Sequence, residues 1–402
     1  MKIGQAPLIT FSYWTATICE GASRIIIPLY FKEIGFSAAK ISLLFLFYEI
    51  FGFLTNYFSG IIVNRYGYKK AFVFSMVCHT IASAAYLLPV GIMTNIFVLA
   101  GIRSFRGVGK ELSKTTSSAY TKVMESEKKE KKKSGWFIHL LLGGKDSIKG
   151  VGILIGTAMY LTLGFSGSFL VLSVLTGAVI FLSLFMLKDY REQKKVTLAG
   201  FTDVSQTMAI LSIIRSFLYA GRDLWWAVAL PIYIVDELGG TKASLGTTLA
   251  VGLIVFGLAQ AIGGMLIKKE LMAFGKNVKG IWSYQQVMPM SSYLLMLVPL
   301  AMILLKEDTT WLLVLVLLYN LFAGFATAPH NALHISLASK DRASVDIAFY
   351  KTFSSVGEIA AISVSGLLYD SYGISACLYF SVMVIFAAGT LSMWLPEEET
   401  SK

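Results

Sequence analysis

Residues 150–187 read GVGILIGTAMYLTLGFSGSFLVLSVLTGAVIFLSLFML and contain no charged side chain. An α-helix needs about 20 apolar residues to cross the hydrocarbon core of a bilayer, so this stretch is long enough for two crossings. The glycine-containing segment 164–167 lies near its middle. We therefore predict two membrane spans here, at 136–163 and 168–187.

The rest of the chain has the same character. Its 402 residues are 55% hydrophobic and 15% charged, with a mean hydropathy of +0.67, whereas a soluble domain has about 25% charged residues. Hydropathy with breaks at charged or turn-forming residues predicts an all-α polytopic membrane protein with twelve transmembrane helices. The other ten predicted spans are 7–31, 38–63, 71–92, 95–121, 206–234, 244–267, 281–305, 311–338, 346–369 and 374–395.

A long polar gap near the middle of the chain separates the spans into two sets of six. We predict an N-terminal six-helix half at 1–188, a cytoplasmic linker at 189–204 and a C-terminal six-helix half at 205–402. Two such halves joined by a linker are a common transporter plan.

The basic residues of the loops predict the orientation. With both termini inside, 21 Lys and Arg residues fall in inner loops and four in outer loops, which satisfies the positive-inside rule. We therefore expect a multi-pass protein of the cell (inner) membrane with cytoplasmic termini. The net charge of +11 is spread over several short loops, and the run KKEKKK at 128–133 is interpreted as a membrane anchor. A nucleic-acid partner is not expected, whereas the lipid bilayer is.

Ten basic and six acidic residues remain within the predicted spans, an excess of four positive charges. A charge at the bilayer centre costs at least about 2.5–3.5 kcal/mol, so this excess indicates an anionic ligand. The basic residues are Arg24, Arg103, Arg106, Lys110, Lys114, Lys145, Lys149, Arg215, Arg222 and Lys351. The acidic residues are Glu20, Glu49, Glu111, Asp146, Asp223 and Glu358.

The spacing of these charges predicts one lined cavity. Arg103, Arg106, Lys110 and Lys114 fall within roughly 80° of one helix face, and the pair Lys145 and Lys149 also shares a face. The predicted substrate-binding residues are Arg24, Arg106, Lys110, Lys114, Lys145, Lys149, Arg222 and Lys351.

Other interpretations of individual charges are open. Glu20 and Arg24, four residues apart, could neutralise each other. Arg103 and Arg215 could lie near a membrane surface and extend toward water. Sequence neighbours such as Arg222 and Asp223, or Lys110 and Glu111, point about 100° apart on a helix. A direct pair is therefore less natural for these residues, and each could find a partner on another helix.

The candidates for proton coupling are the buried acids Glu20, Glu49 and Glu358. An inside-negative potential would also suffice to expel an anion, so uniport and proton antiport both remain open.

The sequence shows no nucleophile–base pair, so an enzyme is not expected. Cys19, Cys78 and Cys377 are far apart in apolar stretches and indicate no disulfide framework. His330 and His334 are four residues apart, but without a nearby acid or Cys they are interpreted as hydrogen-bonding groups. No cofactor and no metal site is predicted.

The segment GIIVNRYGYKK at 60–70 resembles the signature loop of the major facilitator superfamily. The match includes Gly60, Arg65 and Gly67, which we expect to form a conformational loop. Asn64 stands where the family usually has Asp, so a charged lock at that position is not supported. The resemblance implies the major facilitator fold over the whole chain.

Within that superfamily the chain resembles the ArsJ-type organoarsenical efflux permeases. The blocks that carry this likeness are LLFLFYEIFGFLTN at 43–56, GKELSKTTSS at 109–118, GGKDSIKGVGILIG at 143–156 and AGRDLWWAVALPIY at 220–233. They contain Glu49, Lys110, Lys114, Lys145, Lys149, Arg222 and Asp223, whereas Arg106 and Lys351 rest on charge and position alone.

The resemblance implies efflux of 1-arseno-3-phosphoglycerate, a small anion with about three negative charges, by alternating access. It implies arsenical resistance and a functional link to glyceraldehyde-3-phosphate dehydrogenase, which makes that ester when arsenate replaces phosphate. A phosphate-like ester suits Lys and Arg. We expect a monomer.

Three other functions remain open. An organophosphate/phosphate antiporter of the same superfamily would use the same basic cavity. A broad drug exporter should prefer cations and carry net acidic charge in its spans, opposite to the sign seen here. A receptor or scaffold would bind a ligand without moving it.

Overall fold

The computed structural model describes residues 5–36, 38–127, 131–191, 203–226, 229–239, 241–274, 284–339 and 342–396. These residues form helices joined by short turns, and no strand occurs among them. The helices are α1 (Gln5–Glu33), α2 (Ala38–Tyr66), α3 (Tyr68–Ala85), α4 (Val90–Met93), α5 (Ile96–Glu127), α6 (Lys131–Met186), α7 (Gln206–Trp226), α8 (Ala229–Ile232), a π-helical turn (Tyr233–Glu237), α9 (Lys242–Phe274), α10 (Tyr284–Leu305), α11 (Thr309–Leu337) and α12 (Ala343–Ser392).

Six of the described helices are long and apolar enough to cross a membrane. They are α2, α6, α9, α10, α11 and α12. The prediction of an all-α polytopic membrane protein is confirmed, whereas the number of twelve spans stays a prediction.

Glycines interrupt the two longest helices. Gly164 in α6 and Gly373 in α12 have φ angles of 67° and 71°, outside the helical region. Glycine adopts such angles without the steric cost that a Cβ atom imposes. Gly164 therefore divides the helix at the break predicted between spans 136–163 and 168–187.

The chain packs as two compact units. The first, unit 1, comprises Met1–Thr202, Thr241–Ile254 and Ala338–Thr352, and the second, unit 2, comprises Asp203–Gly240, Val255–Leu337 and Phe353–Lys402. Residues 192–202 of the predicted linker and 128–130 of the basic run lie outside the described residues, as do the side chains of 131–133. The predicted boundaries of the halves stay a prediction.

In unit 1, α1 packs along α6, and α5 packs against α2 and α3. Small residues permit the close approach of α1 and α6: a Cβ atom on Gly152 would lie 2.5 Å from the carbonyl oxygen of Ile18, and one on Gly156 would overlap Ala22. Helices in lipid gain much of their stability from such contacts between small residues. This packing brings the charged faces of α1 and α6 to the same region of unit 1.

In unit 2, α10 packs against α11, and α7 contacts α12. The Ser381 hydroxyl donates to the carbonyl of Gly221 at 2.5 Å, and a Cβ atom on Gly357 would overlap the backbone of Ser216. These contacts fix the position of α7, which carries Arg215, Arg222 and Asp223.

Candidate functional site

Five helical segments of unit 1 carry the charged residues that the sequence singled out. They are α1, α2, α5, the first arm of α6 and the first turns of α12. Of the sixteen charged residues within the predicted spans, eight basic and four acidic ones lie in unit 1, and two of each sign lie in unit 2. The whole positive excess therefore belongs to unit 1.

Arg106 is the most deeply buried of these cations, with 0% exposure. Its Nε lies 3.3 Å from Glu20 Oε2, its Nη1 donates to Ser83 Oγ at 3.0 Å, and its Nη2 donates to the Cys19 carbonyl at 2.7 Å. Each of its three nitrogens thus has a protein partner. Arg106 binds α5 to α1 and α3, and this geometry favours a structural role over the predicted contact with substrate.

Tyr48 on α2 links several of these charges, although the sequence analysis did not single it out. Its hydroxyl donates to Glu20 Oε1. Its ring lies 4.5 Å from the Arg103 guanidinium carbon and 4.5 Å from Lys110 Nζ. Cations over an aromatic face are stabilised by the ring quadrupole, and more so when water is excluded. The sequence feature that could have pointed to Tyr48 is its position next to the charged Glu49 in an apolar span.

Arg103 lies inside the unit rather than at a membrane surface. It is 2% exposed, its guanidinium carbon is 4.7 Å from the centre of the Phe45 ring, and its Nε donates to the Leu44 carbonyl at 3.4 Å. The alternative in which Arg103 extends toward water is wrong, because two aromatic rings of α2 enclose the guanidinium.

Lys110 contacts two carboxylates. Its Nζ lies 3.2 Å from Glu49 Oε2 and 3.1 Å from Glu111 Oε1. Glu111 also contacts Lys114, with 2.9 Å between its Oε2 and Lys114 Nζ. Lys110 thus has a partner on another helix, Glu49, and also forms the direct pair with Glu111 that helix geometry made less natural. The angle between neighbouring Cβ atoms does not limit long side chains, which can bend toward each other.

Glu49 also contacts Arg24, with 3.6 Å between its Oε1 and Arg24 Nη2. Arg24 is therefore next to Glu49, while Glu20 is held by Arg106. The i, i+4 spacing suggested that Glu20 pairs with Arg24. In the structure Glu20 pairs with Arg106, and Arg24 pairs with Glu49. The Arg24 side chain is 32% exposed, the largest value among the cations that form ion pairs in this cluster.

The first arm of α6 contributes Lys145, Asp146 and Lys149. Lys145 Nζ is 3.8 Å from Asp146 Oδ2, a long and weak contact. Lys149 is half-buried and forms no hydrogen bond or ion pair with any residue in the described part of the chain. The charges that act on it come from Arg24, Glu20, Lys110 and Asp146. A partly buried cation with no hydrogen-bonded counter-ion is energetically costly.

Lys351 on α12 bonds to α5. It is 5% exposed, and its Nζ donates to the Lys114 carbonyl at 3.0 Å and to Ser118 Oγ at 3.1 Å. Lys351 thus joins the first turns of α12 to the helix that carries Lys110 and Lys114. These contacts suit a positioning residue.

Arg222 and Asp223, two of the four span charges in unit 2, pair with each other on α7. Arg222 forms a two-pronged bond with Asp223, Nε to Oδ1 at 2.6 Å and Nη2 to Oδ2 at 3.2 Å. This direct pair, which helix geometry made less natural, forms because the long Arg side chain bends back to its neighbour. Glu358 is half-buried and forms no hydrogen bond or ion pair among the described residues.

Arg215 in unit 2 is also buried, with 4% exposure, and donates to Asn331 Oδ1 at 2.9 Å and Tyr219 Oη at 2.7 Å. It does not extend to a membrane surface. His330 on α11 is fully buried near Arg215, and its two ring nitrogens have no hydrogen-bond partner among the described residues. The Nδ1 atom of His334 lies 3.0 Å from the His330 carbonyl. The interpretation as a hydrogen-bonding side chain therefore does not hold for His330. Among the described residues, no group of three or more His, Cys, Asp or Glu could hold a metal ion.

The predicted conformational loop joins α2 to α3. A Cβ atom on Gly60 would lie 2.7 Å from Val345 Cα, and the Ser344 hydroxyl donates to the Gly60 carbonyl at 3.0 Å. Asn64 is buried, while Arg65 is exposed. The α2–α12 contact thus requires glycine at position 60.

Gly67 has a φ of 90° and lies against the Asp189 carboxylate. Asp189 Oδ1 accepts a hydrogen bond from the Lys69 backbone nitrogen at 3.2 Å. An anion is favourable at a helix N-terminus because unbonded N–H groups and the helix dipole face it. Asp189, which the sequence analysis placed in the linker, therefore caps α3.

Comparisons with known proteins place these features in a family. A sequence model described as Major Facilitator Superfamily matches residues 9–361 and 211–402. No curated protein matches the chain significantly.

Solved structures resemble the chain over nearly its whole length. The human organic anion transporter MFSD10 (TETRAN) has a TM-score of 0.73 and 11% identity, covering 96% of this chain and 98% of that chain. A bacterial homologue of the iron transporter ferroportin, in an outward-facing state, has a TM-score of 0.73 and 10% identity, covering 97% and 99%. At such identities the likeness shows the fold alone, and that fold is the one predicted.

Proposed function

This chain belongs to the Major Facilitator Superfamily and is a membrane transporter rather than an enzyme, and we propose that it exports an anionic organoarsenical. The substrate would be an ester like 1-arseno-3-phosphoglycerate, and its removal would give arsenate resistance. The observation that carries this proposal is the excess of four positive charges in unit 1, with Lys149 outside every ion pair of the described residues. A trianion would balance most of that excess.

The cations of unit 1 suit the two ends of such an ester. The Arg24 guanidinium, whose side chain is 32% exposed, can form forked contacts with a phosphate or arsenate group, while Lys110, Lys145 and Lys149 act as point charges. Lys114, Arg106 and Lys351 have protein partners and would hold the helices in place. Arg222 remains a proposed contact on the strength of the matching block at 220–233.

The membrane potential can drive this export. Moving one charge through 100 mV contributes about 2.3 kcal/mol, so a trianion leaving an inside-negative cell gains roughly 7 kcal/mol. Uniport by alternating access is thus sufficient to drive export of the anion. The transporter would be a monomer in the cell membrane, with both termini in the cytoplasm. Glyceraldehyde-3-phosphate dehydrogenase would act as the supplier of the ester.

Reconstituted vesicles test the substrate. Vesicles are loaded with arsenate, triose phosphate, NAD and the dehydrogenase, so that the ester forms inside, and arsenic release is measured. We expect release by the wild type, its loss in Lys149→Ala, Lys110→Ala and Arg222→Ala, and normal release by the outer-loop control Glu307→Gln. No release by the wild type would reject the substrate, and unchanged release by the three variants would reject the site.

An organophosphate/phosphate antiporter is the second candidate, because the same cations would bind a phosphate ester. Such a protein would exchange labelled inorganic phosphate across the membrane in a counterflow assay, and it would do so without arsenic. Counterflow of phosphate with no release of arsenic would favour the antiporter.

Proton coupling is tested with two of the three candidate acids, Glu49 and Glu358. Glu20 and Glu49 are held by cations, whereas Glu358 forms no ion pair in the described part of the chain. If Glu49→Gln and Glu358→Gln vesicles keep the pH dependence of the wild type, neither acid couples protons to transport. Loss of that dependence in Glu358→Gln alone would assign the coupling to Glu358.

A further inference from the structure

Glu49 occupies two of the cations that an anionic substrate would need. Its carboxylate lies 3.6 Å from Arg24 and 3.2 Å from Lys110, and its side chain is 4% exposed, whereas Arg24 is 32% and Lys110 14% exposed. A carboxylate between an Arg and a Lys has the same charge and donor requirements as one end of a phosphate or carboxylate ligand.

The contacts of Glu49 are ones that can be given up. The Arg24 contact is long for a charged hydrogen bond, which is normally about 2.7–2.9 Å. Lys110 keeps Glu111 at 3.1 Å when Glu49 leaves, so it does not become an unpaired charge. By contrast, Glu20 is held both by the buried Arg106 and by the hydroxyl of Tyr48.

Gly52 lies beside Glu49 on α2, about one helical turn further along the chain. A Cβ atom at position 52 would lie 3.9 Å from Glu49 Oε2 and 3.4 Å from Glu111 Cγ, which are ordinary van der Waals distances. The glycine thus leaves room for about one methyl group between the two acidic side chains, so a small shift of Glu49 meets no side chain at position 52.

We propose that Glu49 is a resident counter-ion, which the transported anion displaces from Arg24 and Lys110. In the empty protein the carboxylate keeps the cations of α1 and α5 together. An entering anion replaces it, and on release Glu49 returns, which limits how tightly the anion is held. The inference rests on the proposed transport of an anion but not on arsenic in the ligand.

Equilibrium binding to the purified full chain in lipid nanodiscs tests the proposal. The probe is 3-phosphoglycerate, with inorganic phosphate as a second probe, and the measurement is isothermal titration calorimetry. Glu49→Gln should bind 3-phosphoglycerate roughly tenfold more tightly than the wild type, about 1.4 kcal/mol, and release it more slowly. Glu307→Gln, 92% exposed in a loop, removes the same charge at a distance and should bind as the wild type does.

Repeating the comparison in protein that carries Arg24→Gln distinguishes displacement of Glu49 from a general effect of removing a negative charge. One of the two cations that Glu49 contacts is absent there, so Glu49→Gln should raise the affinity by about threefold or less. A double-mutant cycle measures this coupling. An undiminished tenfold gain would overturn the displacement.

Equal or weaker binding by Glu49→Gln, with an unchanged melting temperature, would also overturn the proposal. If Glu49→Gln does not fold, the Glu49→Asp variant is measured instead. The shorter Asp side chain cannot hold both cations, so this variant should bind the probe more tightly than the wild type. Unchanged or weaker binding by Glu49→Asp would count against Glu49 as a counter-ion. Failure of every protein to bind either probe would reject the anion transporter itself, whereas binding without arsenic release would reject the arsenical substrate alone.

Discussion

At the scale of single residues, the basic side chains of unit 1 differ in how fully the protein satisfies them. Arg106 uses its three nitrogens on Glu20, Ser83 and the Cys19 carbonyl, whereas Lys149 forms no ion pair or hydrogen bond with the described residues. A cation with complete protein partners stabilises the fold, and one without them is available to a ligand. Stability and transport should therefore respond to different substitutions.

Lys149→Ala should abolish transport and leave stability unchanged. No described acid loses a partner, so the melting temperature in detergent should stay within about 2 °C of the wild type, a shift of less than 1 kcal/mol. Anion release from vesicles should fall at least about tenfold. Lys306→Ala, at the outer end of α10, is the matched control, and a normal rate in Lys149→Ala would exclude the residue from the binding site.

Arg106→Gln should destabilise the protein by about 3–5 kcal/mol, because it leaves the buried Glu20 carboxylate without its cation. Adding Glu20→Gln removes that charge and should recover part of the loss. Thermal unfolding of the purified single and double variants measures both effects. A double variant less stable than Arg106→Gln alone would show that the pair is not the source of the loss.

At the scale of elements, glycine determines how closely α1 and α6 approach. Gly152 faces the Ile18 carbonyl, while Gly177, on the second arm of α6, has no atom within 4 Å of where a Cβ would be. The close packing of α1 and α6 places Lys149 near the charged residues of α1. The distance between the two helices therefore affects the candidate site as well as stability.

Gly152→Val should lower the melting temperature, with about 1–3 kcal/mol lost to overpacking, and should also reduce transport by moving α6. Gly177→Val places the same side chain on the same helix in open space and should leave both nearly unchanged. Thermal unfolding and vesicle transport of the two variants provide the comparison. Equal behaviour of the two would show that α1 and α6 are not in close contact there.

At the scale of the whole molecule, charge is distributed unequally. Unit 1 contains the entire positive excess of the spans, while unit 2 contains as many acids as bases. Under the proposed function, anion recognition would therefore fall chiefly to unit 1. The basic residues of the loops serve a separate prediction, because their bias toward one predicted side is what the positive-inside rule uses to predict the orientation.

The orientation is tested by cysteine labelling in intact cells. Cys19, Cys78 and Cys377 are buried, so an introduced cysteine supplies the signal. Asp308→Cys, in a predicted outer loop, should react with a membrane-impermeant maleimide, and Arg191→Cys, in a predicted inner segment, should react only after the membrane is opened. The reverse pattern would invert the predicted topology.

Several features of the protein follow from its sequence alone. Long apolar stretches such as 150–187 require a membrane because their burial in lipid is favourable, and turn-forming residues near the middle of this stretch mark the break between two predicted spans. The signature loop at 60–70 indicated the family. The set of charged residues was also visible, since a charge within an apolar span is too costly to be accidental.

The tertiary structure decided which charge meets which. Glu20 pairs with Arg106 instead of Arg24, Glu49 bridges Arg24 and Lys110, and Lys351 bonds to α5 across a long sequence separation. Helical periodicity predicts the direction of a side chain on its own helix, but partners also depend on how neighbouring helices are shifted and rotated. That arrangement comes from packing of small residues between helices, so only the tertiary structure shows which cations have protein partners.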